Sequence, residues 1–353
     1  MNSTNRKFTT LRSFNQVLLF FVLLFAILYY AKSFLVPVVT SALFAMLLVP
    51  ICQKLEHWGM KRGWAAVLVV LVSILIIMAV LYVLFSELVG LGGDIVVIGK
   101  RINVVLDETH AFITEHFNVS RIKQKEYLQK QLSEWSNAAG EVVGGTVFSI
   151  VSLAGNILIV TIYTIMMLIY RKRIKWFVLQ LVKRHAGYDE VSHAKTIVGK
   201  ITKVSSLYVG GIFLVVLILS VIYFTGLTLI GVRNALFFAL LAALINVIPY
   251  IGSVLGGAIV VLYTLITGDS LTTSIIVAIF FAAVQQLDSY VLTPKITGGN
   301  VKLSPLFTIM GLLLGGMVWG AAGMILFIPI LGICKVIFDN VDLLKPYGHL
   351  IGD

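Results

Sequence analysis

Charge is what this sequence has least of. Lys, Arg, Asp and Glu make up 12 % of its 353 residues, against about 25 % in a soluble domain, while hydrophobic residues make up 59 %. A water-soluble fold has no way to hide that much apolar surface, so lipid is its solvent and the bilayer its first partner. Cysteine is nearly absent. Cys52 and Cys334 lie in or beside apolar segments, which argues against a disulfide framework. The motifs of nucleotide and hydrolytic chemistry are missing as well: no phosphate-binding loop ending in Gly-Lys-Ser/Thr, no His-Glu-x-x-His pair, no Gly-x-Ser-x-Gly elbow. His110 and His116, like His185 and His193, are too loosely spaced for a helical metal pair. The chain reads as a non-enzyme with no metal and no cofactor. Lacking a nucleotide site, it would draw any work it does from an ion gradient, unless a partner supplies ATP hydrolysis.

What charge there is has the wrong sign distribution for nucleic acid. The net charge is +11, but the basic residues gather in short clusters beside apolar runs: Arg6, Lys7 and Arg12; Lys54, Lys61 and Arg62; Arg171, Lys172, Arg173 and Lys175. That is the positive-inside pattern, which reports topology and attraction to anionic lipid. No basic motif is interleaved with aromatics, so no nucleic acid partner is expected.

The expected architecture is an all-α polytopic membrane protein with small extracytoplasmic and cytoplasmic helical segments. Residues 1–90 hold three spans, the first retained rather than cleaved. Residues 91–145 carry six basic and seven acidic side chains and read as an extracytoplasmic helical subdomain. A fourth span covers 146–170. Residues 171–204 are strongly basic, with nine basic and two acidic side chains up to Lys203. They read as an amphipathic segment at the cytoplasmic surface. Residues 205–338 form the transport core and 339–353 a cytoplasmic tail, so both chain ends are cytoplasmic.

The core carries the most specific signal. Two apolar stretches of 34 residues, 234–267 and 304–337, are each broken in the middle. One span needs about 20 apolar residues, and two with a connection need about 42. A length of 34 fits a hairpin that enters the membrane, turns at mid-depth and leaves by the same side. Each stretch follows a 22-residue apolar span, 205–226 and 271–292. If the first stretch is a hairpin, Lys295, Lys302, Lys335 and Lys345 all face the cytoplasm. The result is an inverted repeat of helix plus re-entrant hairpin, and paired broken segments of this kind point to a transporter's binding site.

Candidate residues follow from the breaks. The first tip is Asn246-Val-Ile-Pro249-Tyr250-Ile-Gly252. Pro249 cannot donate a hydrogen bond and disrupts the preceding turn, Asn246 offers donor and acceptor, and Gly252 lets the arms approach. Asn246, Pro249, Tyr250 and Gly252 are therefore expected to line a solute site. The second tip offers Gly315, Gly316 and Gly320 in place of side-chain polarity, and these three, with Gln285 and Gln286, are expected to bind the solute as well. Between the tips, Gln285, Gln286 and Asp288 lie in an apolar span, with Gln285 and Asp288 on one helix face. Asp288 is the candidate for ion coupling, since ionisable groups within spans are functional by default. It lies only about 6 Å of helix from the cytoplasmic end, so an interfacial anchor is the competing expectation.

These residues resemble the autoinducer-2 exporter-like (AI-2E) family of bacterial membrane proteins. The resemblance rests on Asn246-x-Ile-Pro249-x-Ile-Gly252, on the run from Gln285 through Asp288 and Thr293-Pro294 to Ser304-Pro305, and on Gly320-x-x-Gly323 with Pro329. Two positions depart from the family's usual residues, Ser304 where His is common and Ser289 where Asn is common. The resemblance implies an inner-membrane exporter assembled as a homo-oligomer, a pentamer. Its solute would be a small polar molecule similar to the signal autoinducer-2, with protons or sodium as candidate coupling ions. Other family members are described as sodium–proton antiporters, which is the alternative reading.

Overall fold

The computed structural model describes residues 3–90, 146–186, 189–249, 251–267, 271–298 and 303–352. The expected subdomain at 91–145 lies outside the described residues, as do Tyr250 and Lys302. The described chain is helical: α1 Ser3–Tyr30, α2 Lys32–His57, α3 Arg62–Gly90, α4 Thr146–Ala186, α5 Asp189–Ile230, α6 Ala235–Ile245, α7 Ile251–Thr267, α8 Leu271–Leu287, α9 Pro305–Asn340 and α10 Lys345–Ile351. Between α8 and α9 the helix continues in wider π turns, Asp288–Leu292 and Pro294–Gly298. Five of the described helices are long and apolar enough to cross a membrane. Shorter apolar helices are Asn15–Tyr30, Ala235–Ile245 and Ile251–Thr267.

One expected boundary is not marked by a break. The basic segment 171–204 is not a helix of its own: its first part continues α4 to Ala186 and its last part opens α5. Nothing between Tyr170 and Lys175 is a glycine or proline, so a span already hydrogen-bonded propagates at low cost.

The residues divide into two compact units. One draws its described residues from Met1–Val70, Val160–Gly211 and Thr297–Asp353, the other from Leu71–Ile159 and Ile212–Ile296. The two broken segments therefore belong to different units.

In the second unit, α6 and α7 run antiparallel. A Cβ placed on Gly252 would overlap the Ile245 carbonyl, and one on Gly256 would stand 3.0 Å from the Ala242 Cα. Small residues at Ala239, Ala242, Gly252 and Gly256 thus let the two backbones touch. Around them pack Leu219, Tyr223 and Leu227 of α5 and Val277 and Phe281 of α8. The Tyr223 and Phe281 rings stack with centroids 4.8 Å apart.

In the first unit, α9 opens on a conventional cap. The Ser304 hydroxyl accepts from the Phe307 N–H at 3.5 Å and Pro305 fills the first helical position. The helix then doubles back at Gly320, whose φ of +63° and ψ of −144° are open only to glycine. Gly315 and Gly323, and Gly311 and Leu331, meet across the fold. In a straight helix the latter pair would be about 30 Å apart. Just before the turn, Trp319 is buried, packs edge-on to Phe327 and donates its indole N–H to the Leu28 carbonyl at 2.9 Å. Leu28 lies in the last turn of α1, where carbonyls have no donor within their own helix. The tail also returns: α10 packs on α9, and the Ser304 N–H bonds the Ile351 carbonyl at 2.9 Å.

Candidate functional site

The site grows from two interruptions in the second unit. The first is the end of α6. Val247 and Ile248 donate only three residues back, to Leu244 and Ile245, tightening the last turn. Pro249 has no N–H to continue the ladder. Gly252 then donates to the Ile248 carbonyl at 2.8 Å and starts α7. Asn246 is left as the C-cap just after Ile245, half-buried, with its side chain turned to Asp288.

The second interruption is set by Pro294. Its ring removes the donor that would close a normal turn, and the preceding helix widens. The Thr293 N–H reaches the Asp288 carbonyl five residues back, and the Thr293 hydroxyl bonds Asp288 Oδ1 at 2.8 Å. Widened turns of this type recur at functional sites.

The two meet at one carboxylate. Asn246 Nδ2 donates to Asp288 Oδ2 at 2.9 Å, so each oxygen of Asp288 holds one neutral donor. Asp288 is 5 % exposed. Among the described residues no Lys, Arg or His pairs with it. Its carboxylate is turned inward onto these two donors rather than out to solvent. A carboxylate has about four acceptor positions. With two used by neutral groups, the remaining ones suit a proton, a cation or the hydroxyl of a polar solute.

The other expected residues fall into place unevenly. Gln285 lies one turn before Asp288, but its Nε2 bonds the Ser289 hydroxyl at 3.1 Å. Its Oε1 is shut off from solvent without a partner, an acceptor available to a ligand. Gln286 is exposed on the far side of the helix. Pro249 and Gly252 shape the tip, and Tyr250 lies outside the described residues. Gly315, Gly316 and Gly320 build the turn of α9 in the other unit. Thr293 is the member that sequence reading missed. The signal for it was Pro294, which forces a five-residue turn and so brings Thr293 over Asp288. Among the described residues no group of three or more His, Cys, Asp or Glu side chains is arranged to hold a metal.

The family profile described as "AI-2E family transporter" matches residues 18–342. The chain is similar to "Putative transport protein YhhT" of Escherichia coli (strain K12), 25 % identical over 94 % of this chain and 91 % of that one. It is also similar to a "Putative transport protein" of Borreliella burgdorferi, 34 % identical over 41 % of this chain and 40 % of that protein. With "Putative transport protein YueF" of Bacillus subtilis (strain 168) the identity is 33 % over 38 % of this chain and 36 % of the relative. The matched stretches thus span about two fifths of the Borreliella and YueF proteins, but nearly the whole of YhhT.

Proposed function

The chain belongs to the AI-2E family of transporters, and from that premise we propose that it is a secondary exporter of a small polar solute similar to autoinducer-2. The observation that carries the reading is the Asn246–Asp288 hydrogen bond, which ties the break between α6 and α7 to the π turn after α8. Both elements are interruptions within apolar sequence, where polar backbone is tolerated only inside protein or beside a watery cavity. A neutral solute rich in hydroxyl groups would bind by exchange with these donors and with the free Gln285 Oε1. Asp288 would couple its passage to an ion. The direct test is purified protein in liposomes, assayed for efflux of the signal and separately for sodium-driven pH change. Signal efflux without sodium-driven alkalinisation is the expected result. A second reading, a cation–proton antiporter, is favoured by one observation: Asp288 is the only buried charged side chain among the described residues.

The re-entrant arrangement of the first broken segment is part of the same proposal. α6 has 11 residues and α7 has 17, about 16 and 25 Å of helix, each short of the roughly 30 Å hydrocarbon core. A pair entering and leaving by the outer face keeps Arg233 outside and Lys295 inside. Single cysteines replacing these two exposed residues, in a protein lacking Cys52 and Cys334, should react with an impermeant maleimide from opposite sides of the membrane. Labelling of both from outside would rule the arrangement out.

A further inference from the structure

The turn between α2 and α3 holds a positive cluster that the transport reading does not use. α2 closes on Gly59 at φ +92°. The Gly59 N–H bonds the Glu56 carbonyl at 3.1 Å and the Met60 N–H the Leu55 carbonyl at 3.2 Å, the paired bonds of a Schellman end. α3 starts at Arg62, and the tight turn brings Arg62 Nε to 3.8 Å from Glu56 Oε1. Arg171 of α4 reaches the same carboxylate, its Nη2 lying 2.6 Å from both Glu56 oxygens. Two guanidiniums share one carboxylate, and one positive charge is left over. Arg62 Nε and Arg171 Nη1 are both shut off from solvent without a hydrogen-bond partner. Burying a donor unpaired is costly, and more so on a cation. Two such donors on a cluster with surplus positive charge point to an anion as the missing partner.

The surroundings identify which anion. Trp58 is 81 % and Trp64 70 % exposed, each two residues beyond a member of the cluster. Tyr170, directly before Arg171, is 44 % exposed and carries the Arg173 guanidinium 5.4 Å above its ring. Exposed Trp and Tyr gather where a membrane span meets the headgroup layer. α2 and α3 are both long and apolar enough to be spans, so their shared end lies at that layer. The anion available there is the phosphate of a lipid.

We propose that Arg62 and Arg171 clamp the headgroup phosphate of an anionic phospholipid, with Glu56 holding the guanidiniums in place and Trp58 and Trp64 against the glycerol and upper acyl region. The guanidinium fork matches phosphate geometry in a way that a lysine would not. Glu56 sets the strength of the site by cancelling one of its two charges.

The test uses the full chain in mild detergent, mixed with phosphatidylglycerol or phosphatidylcholine, with retained lipid counted by native mass spectrometry. Phosphatidylglycerol should be held about tenfold more tightly, because the choline cation of phosphatidylcholine offsets its phosphate and is repelled by the surplus positive charge of the cluster. Arg62→Gln leaves the Arg171–Glu56 pair intact and should bring the preference close to one. Glu56→Gln removes the competing carboxylate and should tighten phosphatidylglycerol binding, a gain that misfolding does not mimic. Millimolar inorganic phosphate should leave the lipid bound. Displacement by phosphate would make this a soluble-anion site and overturn the lipid assignment. Equal retention of the two lipids by the unaltered protein, or an undiminished preference in Arg62→Gln, would also overturn it. Should Arg62→Gln fail to fold, a Glu56→Gln protein that binds phosphatidylglycerol no more tightly decides against the proposal by itself.

Discussion

Replacing Asp288 by asparagine should separate solute movement from ion coupling. The carboxylate accepts from Asn246 on one oxygen and from Thr293 on the other. Asparagine keeps one acceptor and turns an amide donor toward the second partner. The Thr293 hydroxyl can rotate and accept from it, so the site adapts at the cost of one charge-assisted bond, about 1.5–3 kcal/mol. Downhill efflux of a polar solute should then persist within about tenfold to a hundredfold of the unaltered rate. Accumulation against a gradient should vanish, because no titratable proton remains at the site. In an antiporter the same substitution abolishes exchange altogether, since that carboxylate is the carrier of both ions. Flux measured with and without an imposed proton gradient distinguishes the outcomes. Unchanged behaviour in both conditions would remove Asp288 from the mechanism and leave Asn246 and the α6–α7 turn as the whole of the site.

Adding one methyl group at Gly252 should do more damage than alanine at any other glycine of α6 and α7. Its Cβ would overlap the Ile245 carbonyl and stand 2.7 Å from the Asn246 Cα. Those are backbone atoms, which cannot swing aside as a side-chain end can, so the turn must open. Overpacking of this sort costs about 1–3 kcal/mol, and it falls on the residue that reaches Asp288. Displacement of Asn246 by about 1 Å takes a 2.9 Å bond beyond hydrogen-bonding range. The Gly252→Ala protein should melt several degrees lower and transport at least about tenfold more slowly. Gly199→Ala is the matched comparison. Gly199 lies within α5 with nothing within 4 Å of its Cβ position, so alanine there should be neutral or stabilising by up to about 1 kcal/mol. Equal effects at the two positions would mean that the α6–α7 contact does not hold the site.

Much of the fold was legible because lipid imposes a coarse rule. Charge is too expensive to scatter through an apolar span, so the spans and the basic clusters that end them stand out in composition alone. The interruptions were legible for a different reason. Proline removes a donor at a known position, and glycine marks close approach, so Pro249 and Gly320 locate turns before any packing is known. The same logic places the end of the fourth span at residue 170 but says nothing of where its helix ends. A change from apolar to basic residues marks where lipid stops, not where helix stops, and α4 continues to Ala186.

The site was only half legible. That Asn246 and Asp288 are polar groups within apolar sequence follows from the residues themselves, and helical spacing places Gln285 on the face of Asp288. That spacing also suggested a local cluster, whereas Gln285 turns to Ser289 and Asp288 bonds a residue 42 positions away. No periodicity carries that information, because the bond depends on how α6, α7 and α8 pack. The sequence by itself determined that this is a helical membrane protein, where its charged edges lie and where its helices break, since those follow from solvation and from backbone chemistry one residue at a time. Tertiary structure decided whether Asp288 faces water or protein, that Thr293 and Asn246 share its two oxygens, and that Arg62 and Arg171 meet on Glu56. The Asn246–Asp288 and Arg171–Glu56 bonds join segments far apart in the chain, chosen by the shapes of the surfaces that bury them.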